Sequence, residues 1–372
     1  MHRPQGWIEK EGLKRGDWCF VIAWTVWILL IYALGGYFGV RLLQSYKMQT
    51  REHQQAWMRT FTGPGQDTSL PVVGAGRSEE PVDVYTAVSF NRISDIELRE
   101  ANWTAEFDVW FRWERGSVDP GRNLRIVNGT ILEKEKTAAG LRNGVHYEQY
   151  RLKARISKVF DAARFPFSNE GLAIALTDGI DGTDRLRFVR DGRGIDISHL
   201  VLPQGIRIRK EVAVVGLQRY GTGEAGHTGT DRTHSVLVAG LLVVPPSGAV
   251  YLKLFQALYA SVAITLIVFF IKPIHVDPRF GLAVGAFFAA VGNNISVVTL
   301  IPPSEHISLA NIVNGVGLAT IFLALAQSAV SLHIMDTMGK ERLSRVFDMA
   351  SFAALFIGYG AINLILPLAA RS

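Results

Sequence analysis

Five apolar stretches stand out along the chain, each long enough to cross roughly 30 Å of hydrocarbon. They are residues 18–43, 251–271, 280–301, 309–332 and 346–369. A polar region, residues 44–250, separates the first stretch from the other four. The pattern predicts a membrane protein with one helix before a large polar domain and four helices after it.

Within the polar region the pattern changes to a period of two. From Trp103 to Trp113 the odd positions are apolar and the even positions are mostly polar, as in a strand that covers a core. Further strands are predicted at residues 82–92, 122–134, 150–157, 171–176, 185–190, 206–217 and 235–244. About eight to ten short strands, uninterrupted by a long amphipathic helix, predict a β-sandwich.

We therefore expect an α+β membrane protein built from consecutive parts. These are a cytoplasmic N-terminus at 1–17, an extra N-terminal transmembrane helix at 18–43, a helical extension and polar linker at 44–80, an extracytoplasmic β-sandwich at 81–247 and a four-helix transmembrane bundle at 248–372. The first span is much longer than the apolar core of a signal peptide, and no small-residue cleavage site follows it, which favours an uncleaved anchor.

The loop charges predict the orientation. Lys and Arg residues lie before the first span, between the second and third, and between the fourth and fifth, whereas the loop at 302–308 has none. The positive-inside rule then places the N-terminus in the cytoplasm, and the β domain and the C-terminus outside.

Composition removes several classes of protein. Charged residues make up 19% of the chain, below the roughly 25% of soluble domains. Cys19 is the only cysteine, so no intrachain disulfide can form. The net charge of +6 comes with basic residues that flank the spans, which points to a lipid bilayer and not to nucleic acid. No nucleophile–base signature or metal-ligand set occurs, so we expect no enzyme, cofactor or metal.

Short motifs in a particular order point to a family. They are Val88–Ile96, Phe107–Trp113, Arg164-Phe-Pro-Phe-Ser168 and Asn294–Pro302. Together with a sandwich followed directly by four helices, they make residues 82–369 resemble the pentameric ligand-gated ion channels, the bacterial relatives of the Cys-loop receptors. The chain departs from that plan because Ser168 replaces an acid, the signature cysteines and a proline in the second span are absent, and the first span is additional.

The resemblance implies a homopentamer in the bacterial inner membrane, with the β domain and the C-terminus in the periplasm. Inorganic cations would cross it, and a small ligand or protons would open it. The additional span would contact a membrane partner.

Helical spacing places one stripe of the third span on a common face. Its members are Gly281, Gly285, Phe288, Gly292, Ile295 and Thr299. The family register implies that this stripe lines the pore, with Phe288 as an apolar ring that gates by dewetting. Two alternatives stay open: Gly281-xxx-Gly285 is also a helix-packing motif, and Phe287 could face the axis in place of Phe288.

Other roles follow from the resemblance. Asp277 at the inner mouth implies weak cation selectivity, which Arg279 would oppose; alternatively, Asp277 stabilises the start of the helix. Trp113 and Tyr220 are the implied ligand-binding aromatics, with packing as the alternative.

Two segments of the β domain are expected over the loop from Pro302 to Ser308, where they would transmit motion to the pore. One is the predicted turn that contains Arg92, Asp95 and Ile96, and the other consists of Phe165, Pro166 and Phe167.

Two functions therefore compete. The first is a ligand- or proton-gated ion channel subunit. The alternative is a non-conducting membrane receptor or scaffold whose β-sandwich binds a periplasmic partner and whose first span recruits a membrane neighbour.

Overall fold

The computed structural model describes residues 14–62, 80–220, 232–301 and 307–371. Among these, five helices are long and apolar enough to cross a membrane, and two β-sheets lie between the first and second of them. The chain is thus an α+β membrane protein. Helix α1 (Arg15–Thr62) has 48 residues, or about 72 Å at 1.5 Å per residue. The expected first span, residues 18–43, is the N-terminal part of this helix.

The described part of the β domain contains nine strands. They are β1 (Val82–Glu97), β2 (Asn102–Trp113), β3 (Leu124–Ile126), β4 (Gly129–Arg142), β5 (Val145–Ser157), β6 (Glu170–Asp178), β7 (Leu186–Asp196), β8 (Arg207–Tyr220) and β9 (Arg232–Val244). They form a five-stranded sheet in the order β4-β5-β2-β1-β7 and a four-stranded sheet in the order β3-β6-β9-β8. One hydrophobic core contains side chains from both sheets, among them Phe107, Phe111, Leu172 and Leu241.

The expected single strand at 122–134 is wrong, because the chain changes sheets at Asn128. β3 pairs with β6 in the smaller sheet and β4 pairs with β5 in the larger one. The Asn128 amide fixes this crossing point: its Nδ2 donates to the carbonyl of Ala173 (2.8 Å) and its Oδ1 accepts from the N–H of Ala175 (3.0 Å).

A long hairpin joins β4 and β5, and its turn has a local cause. Asn143 and Gly144 have φ angles of 51° and 80°, the left-handed conformations that a two-residue type I′ hairpin turn requires. Most side chains of β4 are exposed, so this strand lacks the alternation that marks β2.

Four helices follow the β domain. They are α2 (Ser247–Ile267), which continues as a 3-10 turn at Val268–Phe270, and then α3 (Val276–Leu300), α4 (Leu309–Asp336) and α5 (Glu341–Arg371). The Ser308 hydroxyl caps α4 by accepting from the N–H of Asn311 (3.2 Å). These helices share a second hydrophobic core that includes Phe255, Val313 and Leu355.

Helix α1 packs along α4 and α5 of its own chain. The Tyr32 hydroxyl lies 2.7 Å from the Thr320 hydroxyl on α4, and its ring lies against Gly358 on α5. At the end of the helices far from the β domain, Lys340 pairs with Asp17 (2.7 Å). The first span therefore contacts two helices of its own chain.

Candidate functional site

The predicted pore stripe lies on one exposed face of α3. All six members are exposed in the single chain, whereas Ala283, Ala286, Ala290 and Val297 on the opposite face are buried. The stripe and the buried residues interleave because the helix turns by about 100° per residue. The structure thus brings the six predicted residues together on a face that no other described element of the chain covers.

The two neighbouring phenylalanines differ in their surroundings. Phe288 is 68% exposed, whereas Phe287 is partly buried against the core of the helix bundle. A Cβ atom placed on Gly281, Gly285 or Gly292 would meet no described atom outside the helix backbone within 4 Å. The Gly281-xxx-Gly285 motif therefore makes no helix contact within the described chain.

The N-terminal end of α3, far from the β domain, separates two charges that the sequence places side by side. Asp277 is exposed in the first helical turn. Arg279 is fully buried and donates to both carboxylate oxygens of Asp348 on α5, at 2.6 and 3.1 Å, and to the carbonyl of Ile271 at 3.3 Å. The expectation that Arg279 opposes Asp277 at the mouth is wrong, because its side chain points into the bundle.

The segment with Phe165, Pro166 and Phe167 contacts the helix bundle directly. Phe165 and Phe167 pack against the helix core, and the ring of Phe167 lies 5.4 Å from that of Tyr251 on α2. The N–H of Leu309, the first residue of α4, donates to the carbonyl of Ala163 (2.7 Å). One loop of the β domain thus touches the beginnings of two membrane helices. The Phe165–Pro166 bond is cis.

The predicted turn at Arg92–Ile96 is wrong, because these residues belong to β1. The turn between β1 and β2 comprises residues 98–101. The misplaced turn coincides with an irregularity, since the pairing of β1 with β2 shifts between Ser94 and Glu97 and Asp95 has a φ of 47°. Arg92 forms an exposed ion pair with Glu106 (3.7 Å).

The side chain of Ile96 packs against the core of the β domain. The turn itself lies at the membrane end, because the N–H of Lys158, in the loop that reaches α4, donates to the carbonyl of Ala101 (2.7 Å). Pro302 lies outside the described residues.

The two predicted ligand-binding aromatics are not brought together in a described site. Trp113 is 5% exposed within the β-domain core, and its ring stacks on His146 with 5.1 Å between centroids. Tyr220 is the last residue of β8, opposite Arg232, and its side chain is outside the description. The position of Trp113 fits the packing alternative.

Asp348 is a site residue that the sequence reasoning missed. A carboxylate in an otherwise apolar span is costly unless a basic residue pairs with it. The position of Asp348 within the fifth apolar stretch was therefore a usable signal that it has a basic partner. Sequence separation hid the partner, since Arg279 is two helices away.

One buried acid in the β domain has a shifted pKa. Burial raises the pKa of Asp178 above its usual range, and the nearby carboxylates of Asp181 and Asp119 act in the same direction. Its Oδ1 accepts from the N–H groups of Ile180 (2.8 Å) and Asp181 (2.7 Å). Across the described ranges, no group of three or more His, Cys, Asp or Glu side chains is arranged to hold a metal ion.

Comparison with known proteins assigns no family. No protein-family model matches the chain, and no curated protein matches it either.

Proposed function

We propose that the chain is one subunit of a homopentameric, weakly cation-selective ion channel in a bacterial inner membrane. In this proposal the β domain is a periplasmic β-sandwich, the four helices after it form the pore domain, and a small ligand or protons open the gate. The N-terminus is cytoplasmic and the C-terminus periplasmic, in accordance with the loop charges. The observation that carries the proposal is the uncovered stripe on α3.

The stripe supports a pore because of its chemistry. Three of its six members are glycine, and a membrane helix uses small residues where backbone approaches another helix or water. Five copies arranged about an axis would cover this face and leave narrow rings, of which the Phe288 ring is the bulkiest. A narrow apolar ring excludes water and therefore ions.

The inner mouth supports cation selectivity. Asp277 is exposed in the first turn of α3, whereas the charge of Arg279 is neutralised by Asp348 inside the bundle. A ring of five Asp277 carboxylates would then be the dominant charge contributed by α3 at this mouth. We expect Asp277→Asn to lower the cation-to-anion permeability ratio, measured as a shift in reversal potential.

The proposed route from stimulus to gate begins at the loop that contacts α2 and α4. Its Phe167 and Ala163 touch Tyr251 and Leu309, so movement of the β domain would reach the helices that flank α3. A hinge between two packed units is a common basis for such switching.

Ion flux through liposomes containing the purified protein tests the proposal. Phe288→Ala should give a constitutive leak, and Phe288→Ser a larger one, because a hydroxyl supports water in the neck. Phe322 on α4 is a matched control, since it is 65% exposed against 68% for Phe288 but lies off the stripe, and Phe322→Ala should not leak.

Three results would count against the proposal or part of it. Leak from Phe287→Ala but not from Phe288→Ala would show that the register is wrong. Equal behaviour of Phe288→Ala and Phe322→Ala would remove the gate. Absence of flux in every variant, under all ligand and pH conditions tried and with the oligomer intact, would favour the receptor or scaffold.

A further inference from the structure

Polar residues gather inside the bundle near its inner end, the end far from the β domain. The side chains of Asn293 on α3 and Asn314 on α4 are hydrogen-bonded (3.3 Å) and define one level. Antiparallel helices rise equally per residue, so counting inward by the same number on both helices brings Arg279 level with Ser328.

A second contact extends this layer to α5. The hydroxyls of Ser331 on α4 and Ser344 on α5 are 2.8 Å apart. One turn outward from that pair, Gln327 and Asp348 stand level with each other, and Ser351 follows less than a turn beyond Asp348. Since Arg279 bonds Asp348 directly, two independent alignments and one ion pair place these residues in the same part of the bundle.

Several polar atoms of this layer have no hydrogen-bond partner among the described residues. They are Nε of Arg279, both side-chain polar atoms of Gln327, and the hydroxyls of Ser328 and Ser351. All four residues are buried, with at most 1% of their surface exposed. Burying a polar group without a hydrogen-bond partner is unfavourable, so a layer with this many unpartnered groups indicates an occupant.

We propose that this layer is a buried hydration site that binds one or more ordered water molecules. The chemistry selects the occupant. The Arg279–Asp348 pair is neutral in sum, so an added ion would be uncompensated in a low-dielectric interior. The unpartnered atoms include donors, on Arg279 and Gln327, and an acceptor, the Gln327 carbonyl, so the occupant must both donate and accept. Water does both and needs two to four polar partners.

The water has a role for α3. The water accepts a hydrogen bond from Nε of Arg279, the donor that Asp348 and Ile271 leave free. Every side-chain nitrogen of Arg279 then has a hydrogen-bond partner. Gln327 and the two serines hold that water, and therefore position the inner end of α3 through it. This inference does not depend on whether the protein conducts ions.

Gln327→Leu gives opposite results for a dry and a hydrated layer. In a dry layer, leucine of similar volume would remove two unsatisfied atoms and raise the melting temperature of the detergent-solubilised protein. In a hydrated layer, leucine displaces the water and strands Arg279 Nε and the serine hydroxyls. We expect the melting temperature to fall.

Ser261→Ala is the control, because the Ser261 hydroxyl already donates to the carbonyl of Ala257 (2.8 Å). This variant should change the melting temperature little.

Radiolytic hydroxyl labelling of the wild-type protein is a second, independent test. Water bound beside a buried ring raises its labelling rate. Phe269 on the 3-10 turn stands near the level of Ser328, since Leu258 on α2 lies against Gly317 on α4 and these helices run in the same direction. Phe255 is also buried, at 0% exposure against 4% for Phe269, but lies farther out.

We expect Phe269 to be labelled several-fold faster than Phe255, and Gln327→Leu to reduce the difference. Equal labelling of the two rings in the wild type, or a higher melting temperature in Gln327→Leu, would overturn the hydration site.

Discussion

One close contact in the docking of α1 onto α5 requires a glycine, at Gly358. A Cβ atom there would lie 2.4 Å from Cδ2 and 2.7 Å from Cγ of Tyr32, whereas carbon atoms rest at about 3.5–4.0 Å. The ring would have to retreat by roughly 1.1–1.6 Å. It cannot do so easily, because Tyr32 is buried and its hydroxyl is held 2.7 Å from that of Thr320.

Gly360 provides a matched comparison on the same helix. A Cβ atom there meets no described atom within 4 Å outside the backbone of its own helix. Both Gly→Ala changes gain about 1 kcal/mol of helix propensity, and this gain cancels when the two variants are compared. Overpacking typically costs about 1–3 kcal/mol. Gly358→Ala should therefore be less stable than Gly360→Ala by about that amount.

Thermal unfolding in detergent measures the difference, and a double variant tests its cause. In the Tyr32→Ala background the ring is gone, so adding Gly358→Ala should no longer destabilise the protein. Equal melting temperatures for Gly358→Ala and Gly360→Ala, or strict additivity in the double variant, would refute the docking of Tyr32 on Gly358.

Two further predictions concern buried charges. Burial raises the pKa of Asp178 in the folded state, so the folded protein binds the proton more tightly than the unfolded chain. The free energy of unfolding therefore falls as the pH rises through the raised pKa. Asp178→Asn should reduce this loss, which would be measured as a flatter dependence of the melting temperature on pH. Asp348→Asn should destabilise the protein by about 3–5 kcal/mol because it leaves Arg279 charged and unpaired. The double variant Arg279→Met with Asp348→Leu should be much closer to the wild type in stability. Equal losses of stability in the single and the double variant would contradict this.

What the sequence could predict depended on how many faces of an element are covered. β2 lies between two strands and over the core, so its alternating side chains are visible as a pattern. β4 is an edge strand whose charged residues face water on most positions, so alternation does not mark it. The Asn143–Gly144 pair was the available signal for that hairpin, since this dipeptide suits a type I′ turn.

The pattern of apolar and polar positions could not predict the direction of side chains at the ends of helices and strands. Arg279 and Asp277 are two residues apart, so helical geometry puts them on different sides of α3, but only the partner on α5 decides which side is buried. Likewise, the bulge at Asp95 lets β1 continue past the point where the motif suggested a turn. Both cases needed information about residues distant in the sequence.

Two of the exposed helix surfaces, those of α1 and α3, have different compositions, and this difference bears on what covers α3. The outer face of α1 presents large side chains such as Trp27, Leu30 and Phe38, each at least half exposed, which offer lipid a broad apolar surface. The exposed stripe of α3 presents glycine at Gly281, Gly285 and Gly292 with open space beside each. Glycine offers hydrocarbon little apolar area and leaves backbone carbonyls unshielded, which is unfavourable where no water can reach them. A face of this kind is suited to another helix or to water and poorly suited to lipid.

If α3 faces lipid, replacing Gly285 by leucine should be tolerated or stabilising. If α3 lines a narrow axis between five copies, the same change should block flux in a leaking Phe288→Ala background while leaving the fold of each subunit intact.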